Sequence, residues 1–254
     1  LNRFAAGDFK GMRGIVFARD DAAALTAYQY ATEWVRQGEA PADSPKLFLF
    51  NLVHATTAPV LAFNQVQFDR LASFLTGLGF TPPTQDALAA AAHDAAQRRA
   101  MLDGMTAIAD PATAFRWRNA GRFLSPRRHA ELLELALVGV SSSRSTSRKL
   151  ALVVSPINDP AFYEMLGIFG VLATDLQATG HSWPGAWETE SNLKRLAATI
   201  AGDALCPRIS PPILHRKALV AAITSARCDL VVCQLAQTDD TFGWEIPRLR
   251  DDLA

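Results

Sequence analysis

Short apolar runs alternate with longer helix-forming stretches along much of this chain, and that rhythm restricts the fold more than any other feature. Gly14-Ile15-Val16-Phe17 is such a run, followed at once by Arg19-Asp20-Asp21 and the stretch AAALTAYQYATEWVRQ. Asp20 or Asp21 is placed to cap a helix there by accepting free backbone N–H groups. Gly38 then ends that helix. The polar loop EAPADSPK leads to a second apolar run, Leu47 to Val53. Apolar runs of this length separated by helices are the pattern of a parallel sheet with covered faces.

The rhythm breaks between residues 59 and 140, which read as a helical section. Val60, Phe63, Val66, Leu71, Phe74, Leu75 and Leu78 form a helical apolar stripe that Gly79 and Pro82-Pro83 end. Thr84 is set to cap an alanine-rich helix running to about Ala107. The segment FRWRNAGRFL, Phe115 to Leu124, reads as a basic loop. Ser125-Pro126 then opens a helix to about Val140. Ser141 to Lys149, SSSRSTSRK, has no apolar residue and reads as a solvated linker, with phosphate or RNA contacts by Arg144 and Arg148 as the alternative.

Beyond the linker the rhythm resumes. Leu150 to Val154 is a buried-type strand, and Asp159-Pro160 opens a helix to Phe169. Val171 to Thr174 is the next strand, followed by a long loop with Trp183 and Trp187. Helices are expected at about Ser191 to Ala204 and Ile213 to Ala226. A strand is expected at Leu230 to Cys233, and a last two-turn helix starts at Pro247. The expected domains are residues 1–58 (α/β), 59–140 (helical), 141–149 (linker) and 150–254 (α/β).

Composition narrows the class. The chain has 254 residues and 25 basic against 25 acidic side chains, so it lacks the positive charge with which nucleic-acid binders neutralise phosphates. Its hydrophobic fraction of 49% is that of a folded chain. Three cysteines make no disulfide scaffold and fit a reducing compartment. No targeting segment or run of about 18 to 20 apolar residues appears, so the expected location is cytoplasmic, without membrane contact. The first residue is Leu rather than Met, from which a missing N-terminus is expected.

Ligands of open parallel sheets sit outside the carboxyl ends of the strands. The candidates there are Ser155, Asn158 and Asp159, then Asp175, Thr179, Gly180 and His181, then Gln234, Thr238, Asp239 and Asp240. Asp159 before Pro160 reads as a helix cap, and Asp239 and Asp240 as turn or cap residues. Asp175 with His181 is the stronger functional candidate, because its loop also carries both tryptophans. Cys206, Cys228 and Cys233 lack CxxC pairing. Cys228 and Cys233 lie at opposite ends of one strand, about 16 Å apart, too far for one metal. Buried free thiols are expected, and no metal ligand is assigned. No phosphate-binding Gly-rich loop or nucleophile elbow is present.

Two segments carry a resemblance: SPINDPAFYEMLGIFGVLATDLQATG, and DALCPRISPPILHRKALVAAITSARCDLVVCQLAQTDDTFGWEIPRLRDDL. They are similar to the iron–sulfur family of 2-hydroxyacyl-CoA dehydratase (2-hydroxyglutaryl-CoA dehydratase D-component) and benzoyl-CoA reductase subunits. The matching residues are Pro156, Asp159, Pro160, Tyr163, Gly170, Asp175, Thr179, Gly180, Cys206, Pro207, Arg216, Asp229, Pro247 and Leu249. Upstream, MRGIVFARDDAAALTAYQY resembles the family's first-strand segment, and Thr84 to Ala107 its central helix.

The resemblance implies an α/β fold of two flavodoxin-like parallel-sheet lobes, the first truncated, joined by the helical middle section. It implies a heterodimer with a homologous partner subunit and an ATP-dependent activator. The implied activity is one-electron, radical chemistry on an acyl-CoA thioester, as a lyase or an oxidoreductase of anaerobic metabolism. The implied cofactor is a 4Fe–4S cluster held by cysteine thiolates. Two family cysteine positions here hold Arg19 and Thr238, and the first cluster cysteine would lie before Leu1. Beside the family the chain reads as short at both ends, either a fragment or a reduced lobe. Ser155, Asn158, Asp175, Thr179, Gly180, His181, Thr238 and Asp239 are the expected lining of the substrate cleft. The alternatives are a cluster-free, non-catalytic partner subunit and a small-ligand-binding flavodoxin-like module.

Overall fold

The computed structural model describes residues 1–19, 22–139, 148–155, 157–177, 192–237 and 239–254. Among these the chain is α/β, with ten helices and two small parallel sheets. It divides into two compact units, residues 1–85 with 192–202, and residues 86–191 with 203–254. The helical stretch expected at 59–140 is shared between them. No described helix is long and apolar enough to cross a membrane.

The first unit begins with the short helix α1 (Asn2–Ala5) and is built on β1 (Gly14–Ala18) and β2 (Lys46–Phe50). These strands pair in parallel, Gly14 opposite Lys46, through the crossover helix α2 (Ala22–Arg36). Helix α3 (Ala58–Gly77) lies close on the sheet. A Cβ on Gly14 would come within 2.6 Å of Leu78 Cδ1 and 2.9 Å of Phe74 Cζ. The rings of Phe48 and Phe74 stack at 5.0 Å. The apolar run continues to Val53, but the strand stops at Phe50, and the Val53 backbone pairs with a side chain instead. Asn64 of α3, fully buried, accepts from Val53 N at 2.9 Å and donates to Val53 O at 2.8 Å.

The second unit begins with three helices: α4 (Gln85–Ile108), α5 (Pro111–Ala120) and α6 (Pro126–Gly139). It continues with β3 (Lys149–Val154), α7 (Pro160–Phe169) and β4 (Val171–Asp175). Helix α8 (Leu193–Ala201) belongs to the first unit, and α9 (Pro212–Ser225), β5 (Leu230–Gln234) and α10 (Asp240–Leu253) return to the second. The sheet order is β4-β3-β5, all parallel. In order of appearance that is 2-1-3, the start of a flavodoxin-like sheet.

Strand β3 is central and buried on both faces, which is why it reads KLALVV without polar alternation. Leu150 and Leu152 pack with Ala112 and Phe115 of α5 and Tyr163 and Leu166 of α7. Ala151 and Val153 face Leu219 and Ile223 of α9 and Leu249 of α10.

Two expectations are corrected here. Phe115 to Leu124 is not a loop from its start, because α5 runs to Ala120. Asp110 accepts from Thr113 N at 3.0 Å and Pro111 holds the first helical position, the same Asp-Pro start that opens α7 at Asp159. The last helix does not begin at Pro247. It begins at Asp240, and Pro247 lies inside it. Asp239 caps it through Phe242 N at 3.3 Å. Tertiary contacts on both sides of Pro247 then hold the helix through the lost hydrogen bond. Phe242 and Leu249 are buried, and Arg216 of α9 reaches Glu245 at 2.6 Å and Asp252 at 2.7 Å.

Gly170, between α7 and β4, sits where a Cβ would overlap the carbonyl oxygen of Arg148. That oxygen accepts from Val171 N at 2.8 Å. Gly170→Ala is expected to lower unfolding free energy by about 1–3 kcal/mol in urea titration. Gly167→Ala, whose Cβ would meet Pro111 Cδ at an ordinary 3.5 Å, is expected to be neutral or to stabilise by up to about 1 kcal/mol from helix propensity.

Candidate functional site

The carboxyl ends of β3, β4 and β5 gather the polar side chains of the second unit. Asp175 is the last residue of β4, and its side chain is 2% exposed. Its Oδ2 receives Arg118 Nη2 at 2.8 Å, Tyr163 Oη at 3.0 Å and Gln177 Nε2 at 3.0 Å. Its Oδ1 receives Gln177 N at 3.4 Å. Tyr163 Oη also accepts from Arg118 Nη2 at 3.0 Å and from Gln177 Nε2. Tyr163 and Gln177 are fully buried, and Arg118 is 18% exposed at its side chain.

The packing fixes this geometry. Phe115 stacks on Tyr163 with centroids 4.3 Å apart, and the Arg118 guanidinium lies 5.7 Å from both rings. Burial pushes the Tyr163 hydroxyl pKa well above its ordinary value, and the Asp175 carboxylate adds to the shift while Arg118 opposes it. The phenol therefore stays protonated and serves as a donor. Three of its four donors converge on Oδ2, so that oxygen is committed to the fold, while Oδ1 holds only the long contact from Gln177 N.

The network also joins two strand ends, since Gln177 Oε1 accepts from Ile157 N at 2.7 Å. A second link joins β3 to β5. Ser155, 2% exposed, donates to Asp239 Oδ2 at 2.5 Å and accepts from Ala236 N at 3.0 Å. In a 2-1-3 sheet the crevice between the first and third strands is the switch point where ligands usually sit. Here the Ser155–Asp239 bond spans the ends of those strands.

The structure brings Asp175 together with Tyr163, and Ser155 together with Asp239. Asn158 stands apart from both pairs, exposed, with its Oδ1 accepting from Arg122 Nη1 at 3.1 Å. Thr179, Gly180, His181, Trp183, Trp187 and Thr238 lie outside the described residues. Asp159 and Asp239 act as helix caps. Arg118 and Gln177 were not foreseen. The Asp110-Pro111 start of α5 would have placed Arg118 on a helix, whereas nothing in the sequence marks Gln177.

The residues present do not fit the cluster that the resemblance implies. Arg19 follows β1 and donates to Asn51 at 3.4 Å, and a guanidinium is no ligand for iron. Cys228 precedes β5, and burial pushes its thiol pKa up, away from thiolate. Cys233 lies inside β5, opposite Val153. Among the described residues no three His, Cys, Asp or Glu side chains are grouped to hold a metal ion.

Compared with known proteins, the chain matches no family model and no curated protein.

Removing one partner of the buried pair is expected to be costly. Arg118→Ala should lose about 3–5 kcal/mol of stability, because an unpaired carboxylate stays buried. Tyr163→Phe should lose about 1–3 kcal/mol. The double replacement Arg118→Met with Asp175→Leu should recover most of the Arg118→Ala loss. Urea midpoints measure all three; an Arg118→Ala change under about 0.5 kcal/mol would mean the pair is not an anchor.

Proposed function

We propose that this chain is a subunit of an acyl-CoA-processing complex of the 2-hydroxyacyl-CoA dehydratase and benzoyl-CoA reductase type. In this reading it acts beside a homologous, cysteine-complete partner in the cytoplasm and carries no cluster of its own. The supporting observation is the combination of family-like motif residues with substituted cluster positions. Pro160, Tyr163 and Asp175 are among the residues that carry the resemblance, and each has a defined structural task. Arg19, in place of a cluster cysteine, is tied to Asn51. The chain would then retain the scaffold and the interface while the redox chemistry belongs to the partner.

This reading divides the labour in chemical terms. An acyl-CoA ligand needs a shaped cleft and positioned donors, which an α/β scaffold supplies through its strand-end loops. The one-electron step needs soft thiolate ligands, which this chain does not offer at Arg19.

The test is anaerobic co-expression with a cysteine-complete homologous subunit. The chain purified alone is expected to contain neither iron nor acid-labile sulfide. The co-purified pair is expected to contain both and to bind an acyl-CoA in calorimetry. Stoichiometric iron and sulfide in the chain alone would overturn the cluster-free assignment. A monodisperse chain that captures no partner and binds no acyl-CoA would overturn the family reading itself.

A further inference from the structure

We propose that His129 is an acid-sensitive latch that holds α6 against the C-terminal end of α5 and releases it when the ring is protonated. The geometry is unusual for a histidine. His129 lies in the first turn of α6 and is 1% exposed. Its Nε2 is 2.8 Å from the carbonyl oxygen of Trp117 in α5. A carbonyl only accepts, so Nε2 carries the proton and the neutral ring leaves Nδ1 bare. Nδ1 is buried and has no hydrogen-bond partner.

Protonation would place a second N–H on Nδ1 with no acceptor for it among the described residues. Gly121 stands close against that side of the ring. A Cβ on Gly121 would already lie 2.6 Å from both Cε1 and Nδ1 of the ring.

From α4, the Arg98 guanidinium opposes a further positive charge. The facing parts of α5 and its C-terminal turn are the Trp117 carbonyl and Gly121. Arg118, next to Trp117 in α5, is committed to Asp175. On α6 itself, Arg127 and Arg128 share the carboxylate of Glu131, at 3.2 and 3.0 Å. Burial is the largest cause of a lowered His129 pKa, and the Trp117 carbonyl resists it only in part.

The sign follows from linkage. The unfolded or undocked ring binds a proton near pH 6.5, whereas the docked ring does so only at lower pH. Docking is therefore undiminished above about pH 6.5 and weakens as pH falls from there toward the docked ring's lowered pKa. Within that window the opening equilibrium of α6 should rise by up to about tenfold per pH unit.

The latch sits one residue from Arg118, so release of α6 loosens the helix end that carries the cation of the buried network. The inference does not depend on the proposed function, because it concerns only the packing of α5 and α6.

Hydrogen exchange by NMR tests it on the full chain between pH 7.5 and 5. After correction for intrinsic exchange, the amides of α6 should lose protection with falling pH while those of β3 do not. The His129 ring, followed in the same samples, should titrate below 6.5. His129→Gln, which can still donate to Trp117, should flatten the pH dependence. Arg98→Gln leaves the ring untouched and should raise its pKa, moving the window upward. A ring that titrates at or above 6.5, or α6 protection that does not change with pH, would overturn the latch.

Discussion

The buried carboxylate of Asp175 is the point on which the second unit depends. It stands at the end of β4, inside the protein, and is tolerable there only because Arg118, Tyr163 and Gln177 all donate to it. Those donors come from α5, α7 and the loop after β4, so satisfying one charge orients three elements at once. Phe115 and Tyr163 then stack beneath the guanidinium, joining the ionic centre to the apolar core. A pair of this kind contributes little net stability over an apolar replacement. Its larger effect is on arrangement, because alternative packings would leave a charge unpaired.

The strand-end loops extend the same logic. Gln177 ties the β4 end to the β3 end, and Ser155 ties the β3 end to the β5 end. Polar residues at the carboxyl edge of a parallel sheet usually draw attention as ligand contacts. Here several of them hold backbone and side chains of the fold itself. The family-like motif around Asp159, Tyr163 and Asp175 is intelligible on these grounds alone: a cap, a core donor and a buried acceptor. Each of these residues therefore has a task in holding the scaffold.

Much of the architecture was legible. The apolar runs at Gly14, Leu47, Leu150, Val171 and Leu230 all became parallel strands, because an uninterrupted apolar run with β-branched residues has few other uses. The caps at Ser125 and Asp159 were also foreseen, since capping is a local interaction between neighbours in sequence. The failures share one cause. The α5 segment looked too basic to be a packed helix, yet Arg116 and Arg118 are neutralised by Glu164 and Asp175, 48 and 57 residues away in the chain. Pro247 looked like a helix start, yet distant Arg216 holds α10 together across it.

The amino-acid sequence by itself determined the class of fold, the direction of the strands and the starts of most helices. These depend on periodicity and on contacts within a few residues. Only the tertiary structure decided that Asp175 is a buried acceptor, that Arg118 is its counter-ion, and that His129 is buried with one bare nitrogen. Those properties depend on which distant groups meet in a medium that excludes water. No local pattern encodes that meeting.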